Sequence, residues 1–349
     1  MKKFLIKISY TVLPVWLLLV GLAIYLWATD DNTGDLMRLG LIDSGPEYTD
    51  SIRAGVLPEV YYVGVDDDSV LRSTSCDVLV IGDSFSHGGG VGKVGDYVNY
   101  LAHDGALDVT VFTPQDPTLS SPIQIAFDVL ELNLIDSARI KNLVVQEVER
   151  YIVERHMGFV STNRAMFQQK PKQQQKEDDD VTQDEESSSP LLRVKDYLFY
   201  HLFGANPIYT AHLSQDLFSG TEPSTLYFYN EDVKNGIQVP QEKQTRVKEN
   251  YTKLISKARE KGINLIILIA CDKYDLYQDH IVDNSYPTKT LNEDIARWMD
   301  ADTCCFVFSK QVLHPLVEQG VKDVYLFNDT HWSPASSRMI ARAIIEKLH

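Results

Sequence analysis

Ser84 lies near one end of the chain and the pair Asp329/His331 near the other, and together they have the makings of a nucleophile with its base. The stretch from Cys76 to Val91 reads C-D-V-L-V-I-G-D-S-F-S-H-G-G-G-V. Asp77 to Ile81 is a short apolar run with β-branched residues, the pattern of a buried parallel strand. It breaks at Gly82, so Ser84 follows at the strand's carboxyl edge, in a glycine-rich turn ahead of helical-looking sequence. A serine there exposes its Oγ, and a helix N-terminus behind it offers backbone N–H groups to a developing oxyanion. Gly-Asp-Ser is also ordinary turn chemistry, so the serine needs a base from elsewhere in the chain.

That base is available between Asp323 and Pro334, D-V-Y-L-F-N-D-T-H-W-S-P. Val324 to Phe327 reads as a short extended piece and Asn328 to Trp332 as a loop. Ser333 as N-cap and Pro334 at the first helical position then start a helix running to Lys347. In extended backbone, residues i and i+2 point to one side. Asp329 can therefore hydrogen-bond the imidazole of His331, fix its tautomer and raise its basicity, as an activated serine requires. His87 is a rival base close to Ser84, but it has no acidic neighbour at useful spacing.

The elements in between have to bring these ends together. Strands are expected at Asp77–Ile81, Asp108–Phe112, Lys141–Val148, Asn264–Ala270 and Cys304–Phe308. Helices are expected at Ile123–Leu134, Gln241–Lys261 and Leu291–Met299. Such alternation predicts a parallel sheet with helices on both faces. Right-handed crossovers then line up the carboxyl ends of the strands along one edge, where these folds put their sites. Thr225–Tyr229 reads as an added strand. Residues 168–190 form a Gln/Lys/acid/Ser tract too poor in apolar side chains to offset its ordering entropy, and disorder is expected there. Leu191–Phe203 has the pattern of an amphipathic or largely apolar helix, which by default packs on the domain and otherwise caps the site or lies against the membrane or a partner.

The N-terminus has a different character. Lys2, Lys3 and Lys7 precede a run from Ile8 to Thr29 that carries no charge, and Asp30 and Asp31 follow. An apolar run of roughly 20 residues can span a bilayer. Lysines before it and acids after it leave the N-terminus in the cytoplasm and the rest outside. A cleaved signal peptide would have a shorter apolar run and a small-x-small cleavage site, which does not stand out here. The expected organisation is a cytoplasmic tail (1–7), a signal anchor (8–29), a linker with small elements such as Val60–Val65 (30–75) and one domain (76–349) interrupted by the acidic tract.

The formal net charge is −16, the opposite of the basic footprint that phosphate backbones demand, so nucleic acid is not an expected partner. The 4 cysteines are too few for a disulfide scaffold and lack C-x-x-C zinc spacing. Buried free thiols and no metal site are the expectation.

Gly82-Asp83-Ser84-Phe85 after a first strand, with an Asp/His pair before the last helix, resembles the SGNH (GDSL-like) hydrolase superfamily. The spelling Asp329-Thr330-His331-Trp332 departs from the Asp-x-x-His of its common esterases. It is similar to the branch represented by the alginate O-acetylation proteins, membrane-tethered or periplasmic acetyltransferases. Val144 to Tyr151 and Ala270 to Tyr274 are similar to that branch as well. The resemblance covers roughly residues 76–349 without the acidic tract.

It implies a flavodoxin-like three-layer α/β domain with a parallel sheet, in which Ser84 is the nucleophile, His331 the general base and Asp329 its orienter. The chemistry would be acyl transfer through an acetyl-serine, with no cofactor. The Ser84 N–H would be one oxyanion donor. The superfamily's glycine and Gly-x-Asn-Asp blocks are not evident, which leaves Ser120 or Ser121 to stand in for the glycine. Glu147 and Arg150 would orient substrate or acyl donor, or else form a buried ion pair holding the loop. Asp272, Lys273 and Tyr274 would bind sugar or serve the turn, and Trp332 would stack on a sugar ring or wall the pocket. The activity implied first is O-acetylation of an exported polysaccharide on the outer side of the plasma membrane, with acetyl groups passed outward by a multispanning membrane partner. A carbohydrate esterase using the same residues, and a non-catalytic polysaccharide-assembly protein, are the alternatives.

Overall fold

The computed structural model describes residues 2–28, 34–36, 50–53, 55–114, 121–158, 198 and 206–348. Helix α1 spans Lys2–Ala28 with Pro14 inside it. Its side chains Val12, Leu13, Val15, Trp16, Leu17 and Leu18 are exposed. Among the described residues, no helix is long and apolar enough to cross a membrane. The expected anchor at 8–29 ends on a residue outside the described set, as do the acidic tract at 168–190 and nearly all of 191–203.

The domain is built on six parallel strands. They are β1 (Val63–Val65), β2 (Cys76–Ile81), β3 (Val109–Phe112), β4 (Ile140–Val148), β7 (Asn264–Ala270) and β8 (Phe306–Phe308), with β5 (Ile208–His212) and β6 (Thr225–Tyr229) forming a separate antiparallel hairpin. The sheet order is β1-β3-β2-β4-β7-β8. Val60–Val65, read as part of a linker, thus supplies the edge strand β1 on β3. The expected last strand is shorter, because a 3-10 turn occupies Asp300–Cys305.

Alternation along the buried strands feeds two apolar layers. On one face Val78, Val80, Val144, Ile266 and Leu268 meet α2 (Tyr97–Gly105), here through Tyr97, Tyr100 and Leu101. On the other face Leu79, Ile81, Leu143, Val145, Ile267 and Ile269 meet α3 (Pro122–Glu131), α4 (Glu149–Met157), α5 (Gln241–Glu260) and α6 (Leu291–Trp298). Helices α7 (Ser309–Glu318) and α8 (Pro334–Ile345) complete the first layer through Leu313, Val317, Ile340 and Ile344. Each such side chain contributes roughly 1.5–3 kcal/mol on burial, so the central strands are a stiff base for what stands on their ends. The result is an α/β domain with helices on both faces of a parallel sheet.

One expectation needs correction. No helix N-terminus lies directly behind Ser84. That residue starts a single 3-10 turn, Ser84–Ser86, and α2 begins only at Tyr97, capped by Asp96. Gly88, Gly90 and Gly92 all have positive φ, so the intervening run is a folded loop and not helix. The cysteines are free. Cys76 and Cys271 are buried, whereas Cys304 is exposed and Cys305 half-buried, against the expectation of buried thiols throughout.

Candidate active site

Ser84 is exposed at the end of β2, and the residue before it anchors the turn. The Asp83 carboxylate accepts from the Phe85 N–H (3.4 Å), the Val148 N–H (3.0 Å) and the Arg155 guanidinium (3.0 Å). Burial pushes the Asp83 carboxyl up, but the Arg155 charge and these donors overcome that and hold its pKa below the ordinary value. The Gln146 side-chain oxygen accepts from the Asp83 N–H and the Ser86 hydroxyl, both at 3.0 Å. A Cβ on Gly82 would lie 2.1 Å from Ser86 Oγ, so only glycine lets the chain turn so tightly over Gln146. The Asp of Gly-Asp-Ser thus ties the turn to β4 and α4 and leaves the serine side chain free to face outward.

The loop bearing His331 is closed on itself before it meets Ser84. Tyr325 and Trp332 form an antiparallel bridge, the Leu326 N–H donates to the His331 carbonyl (3.1 Å), and Ser333 caps α8. Asp329 Oδ1 lies 2.5 Å from His331 Nδ1 and accepts the His331 backbone N–H at 2.9 Å. His331 Nε2 lies 2.8 Å from Ser84 Oγ. Residues 247 positions apart in the chain thereby share one hydrogen bond. Burial lowers the affinity of His331 for a proton, yet the Asp329 carboxylate, with Asp35 beyond it, reverses this and raises its pKa. Asp329 itself is pushed up by burial and drawn down by His331, to about 2. The pair is therefore ready to hold a proton on the imidazole and a charge on the carboxylate.

Two neighbours fix the imidazole plane. The Phe85 ring lies 4.5 Å from the His331 ring centre, and Gly89 packs against its other atoms, so close that a Cβ there would stand 2.2 Å from Nε2. The His87 imidazole instead lies near Gly82 O (3.1 Å) and Thr113 Oγ1 (3.3 Å). It does not compete for Ser84.

Lys273 sits beneath the same loop. Its ammonium donates to the carbonyls of Leu326 (2.7 Å), Phe327 (2.8 Å) and Asp329 (3.2 Å). Burial draws its pKa down to about 7. Three acceptors call for three N–H donors, which only the charged form has. Lys273 is fully buried and holds the loop's backbone; it is not a sugar contact.

Asp35 was not visible as a site residue in the sequence. Both its oxygens accept from Thr330, one from the N–H at 2.7 Å and the other from the hydroxyl, and its own N–H donates to Asp329 Oδ2 at 3.0 Å. The donor atoms of Asp35, Asp329 and His331 lie within 4.8 Å of one another, close enough to hold a cation. Thr330 and the Asp329–His331 bond already engage them, so the set is committed to hydrogen bonding.

The remaining expected residues lie apart from Ser84. Glu147 shares the face of Val145, and its carboxylate bonds Tyr251 OH (2.9 Å) and His156 Nε2 (3.2 Å) in the opposite layer. Arg150 does not pair with it. The Arg150 guanidinium bonds Asp272 (2.8 Å) and Asp232 (3.2 Å), and Lys289 bonds the other Asp272 oxygen. Asp272 and Arg150 thus belong to a buried ion cluster; burial and Asp272 push Asp232 up to about 7. Tyr274 packs on Phe228 and donates to Pro287 O. Ser121 caps α3 through the Gln124 N–H, and Ser120 is outside the described residues. Trp332 is 2 % exposed, donates to Tyr325 OH at 2.8 Å and walls the core, so no ring can stack on it. The missed members, Asp232 and Lys289, stand in unremarkable local sequence; only the fold reveals them.

No curated protein and no solved structure matches the chain. The family whose model does match covers neither Ser84 nor Asp35, which the fold brings to it. Residues 224–349, which carry Asp329 and His331, match the family described as an SGNH hydrolase-like domain, acetyltransferase AlgX, the branch that the two end motifs resemble.

Proposed function

We propose that the chain is a serine-dependent acyltransferase that moves acetyl groups onto hydroxyls of a polysaccharide. The observation that carries this is the linear relay Ser84 Oγ–His331 Nε2 (2.8 Å) and His331 Nδ1–Asp329 Oδ1 (2.5 Å). His331 takes the Ser84 proton as Oγ attacks the acetyl carbonyl, and returns it to the departing oxygen, leaving acetyl-serine. An acceptor hydroxyl then gives its proton to His331 and attacks the same carbonyl, which restores Ser84. The turn spends the N–H groups of Phe85, Ser86, His87 and Gly89 on internal acceptors, leaving that of Ser84 for the oxyanion. The acetyltransferase activity named for the matched family favours transfer over hydrolysis.

Full-length protein should turn over an acetyl ester, and Ser84→Ala should abolish it; equal rates for the two would end the proposal. With an oligosaccharide present, mass spectrometry should find acetylated sugar. Acetate alone would make the protein an esterase.

We also propose that the N-terminal run 8–29, whose last residue lies outside the described set, anchors the chain in the plasma membrane with the domain outside. The uncharged run 8–29, the lysines before it and the exposed apolar side chains of α1 support this. Alkaline carbonate should leave the full chain in the membrane pellet; release into the supernatant would refute anchoring. A multispanning acetyl donor in the same membrane would complete the transfer.

A further inference from the structure

The catalytic loop is gripped from outside the domain. Residues 34–36 lie across it, although nearly 300 positions separate them in sequence. The Leu36 N–H donates to Asn328 O at 3.2 Å, and Leu36 is fully buried. Gly34 has φ +94°, and a Cβ there would stand 2.3 Å from Asn328 O, so the strap rests backbone on backbone. Asp35 then contributes three bonds, two accepted from Thr330 and one donated to Asp329. One Asp35 oxygen also stands 3.8 Å from His331 Nδ1.

We infer that Asp35 is a positioning residue of the proposed relay: it clamps the Asp329–His331 loop through Thr330 and supplies a second negative charge to the imidazole. This rests on the acyl-transfer reading of Ser84 and His331. Burial and the Asp329 charge raise the Asp35 pKa above its ordinary value, while the His331 charge and the two bonds from Thr330 oppose them and favour the carboxylate. The charged groups facing His331 are Asp329, Asp35 and, at longer range, Arg150, with Lys273 below the loop. Asp329 fixes the ring from one side only. Asp35 fixes Asp329 itself, because its backbone N–H occupies the carboxylate oxygen that His331 does not use. The segment that links α1 to the domain is in this way built into the site.

The test uses the full chain with Asp35→Ala and Asp35→Asn. Two quantities are followed: the rate at which a fluorophosphonate labels Ser84, and kcat/KM for an acetyl ester against pH. Asp35→Ala frees Thr330 and should label roughly 10- to 100-fold more slowly, the effect of a relay misplaced by about 1 Å. Asp35→Asn keeps an acceptor for the Thr330 N–H but no charge. It should retain more of the rate and move the acidic limb of the profile to lower pH, which a purely structural role would not do. Labelling and pH profiles that superimpose on wild type in both variants would overturn the inference. If wild type labels at Ser84 but turns over no acetyl ester, the acetyl-transfer reading falls and the labelling rates still decide the role of Asp35. Wild type that does not label at all sinks both.

Discussion

The α-carbon of Gly89 faces the His331 ring so closely that a side-chain carbon there would lie 2.2 Å from Nε2. The glycine run after Ser84 therefore has a second task beside making the turn: it is the floor on which the base lies. Gly89→Ala should push the imidazole off the Ser84 line. We expect on the order of a 100-fold fall in kcat/KM, the scale of a misplaced catalytic group. The melting temperature should change little by comparison, because the loop is at the sheet's edge and the core is untouched. A variant with full activity would show that the His331 seat is elsewhere.

The pH profile should report His331. In the proposed reaction it takes the Ser84 proton only when neutral, and its pKa is raised above the usual 6.5 by Asp329 and Asp35 against the effect of burial. kcat/KM should therefore fall as pH drops through that raised value. Asp329→Asn removes the nearer charge, so the limb should shift to lower pH while the rate falls by roughly 10⁴, the loss seen when a triad's orienting carboxylate is replaced. Stopped-time assays from acid to neutral pH in both proteins measure this.

Lys273→Met should weaken the loop from below. The side chain is buried, and its removal takes the ammonium from three backbone carbonyls, of which, among the described residues, only that of Leu326 keeps another donor, the Asp329 N–H at 3.4 Å. An unsatisfied buried group costs about 1–3 kcal/mol, enough to lower the melting temperature measurably. Lys273→Arg should not rescue it, since a planar fork cannot point three donors at converging carbonyls as an ammonium does. Calorimetry and ester turnover on the two variants check this; a Met variant as stable and active as wild type would remove the role.

Glu147→Gln is expected to be silent in catalysis. Its partners Tyr251 and His156 lie on the far face of the sheet from His331. The change replaces charge-assisted bonds with neutral ones, so stability should drop by roughly 1 kcal/mol, a few degrees in melting temperature for a domain of this size. A loss of kcat/KM at unchanged folding would mean that Glu147 acts on the substrate.

What the sequence disclosed was local chemistry. Ser84, Asp329 and His331 could be read because each has a side chain suited to one task and a recognisable turn or cap beside it, Ser333-Pro334 above all. The α/β alternation could be read because buried parallel strands are apolar throughout. Glu147 could have been placed by counting: it shares parity with Val145 and Leu143, which face α5, and not with Gln146. The helix expected after the glycine-rich turn is present, but three positive-φ glycines push its start to Tyr97, so no helix N-terminus lies directly behind Ser84. For Lys273 the sequence leaves sugar binding and a turn role equally open, since nothing local tells a buried lysine from an exposed one. Asp35 left no signal at all, because its partners are set by a tertiary contact and its neighbours in sequence resemble any linker.

The strap also sets a radius. Ala28 ends α1, and Asp35 touches the catalytic loop seven residues later. Fully stretched, that interval reaches at most about 25 Å. With α1 held in a bilayer as proposed, Ser84 cannot patrol the space outside; it is leashed to a thin shell over the lipid. A polymer would meet it only while emerging through that shell, so modification would be timed by export, and chains already released would escape it.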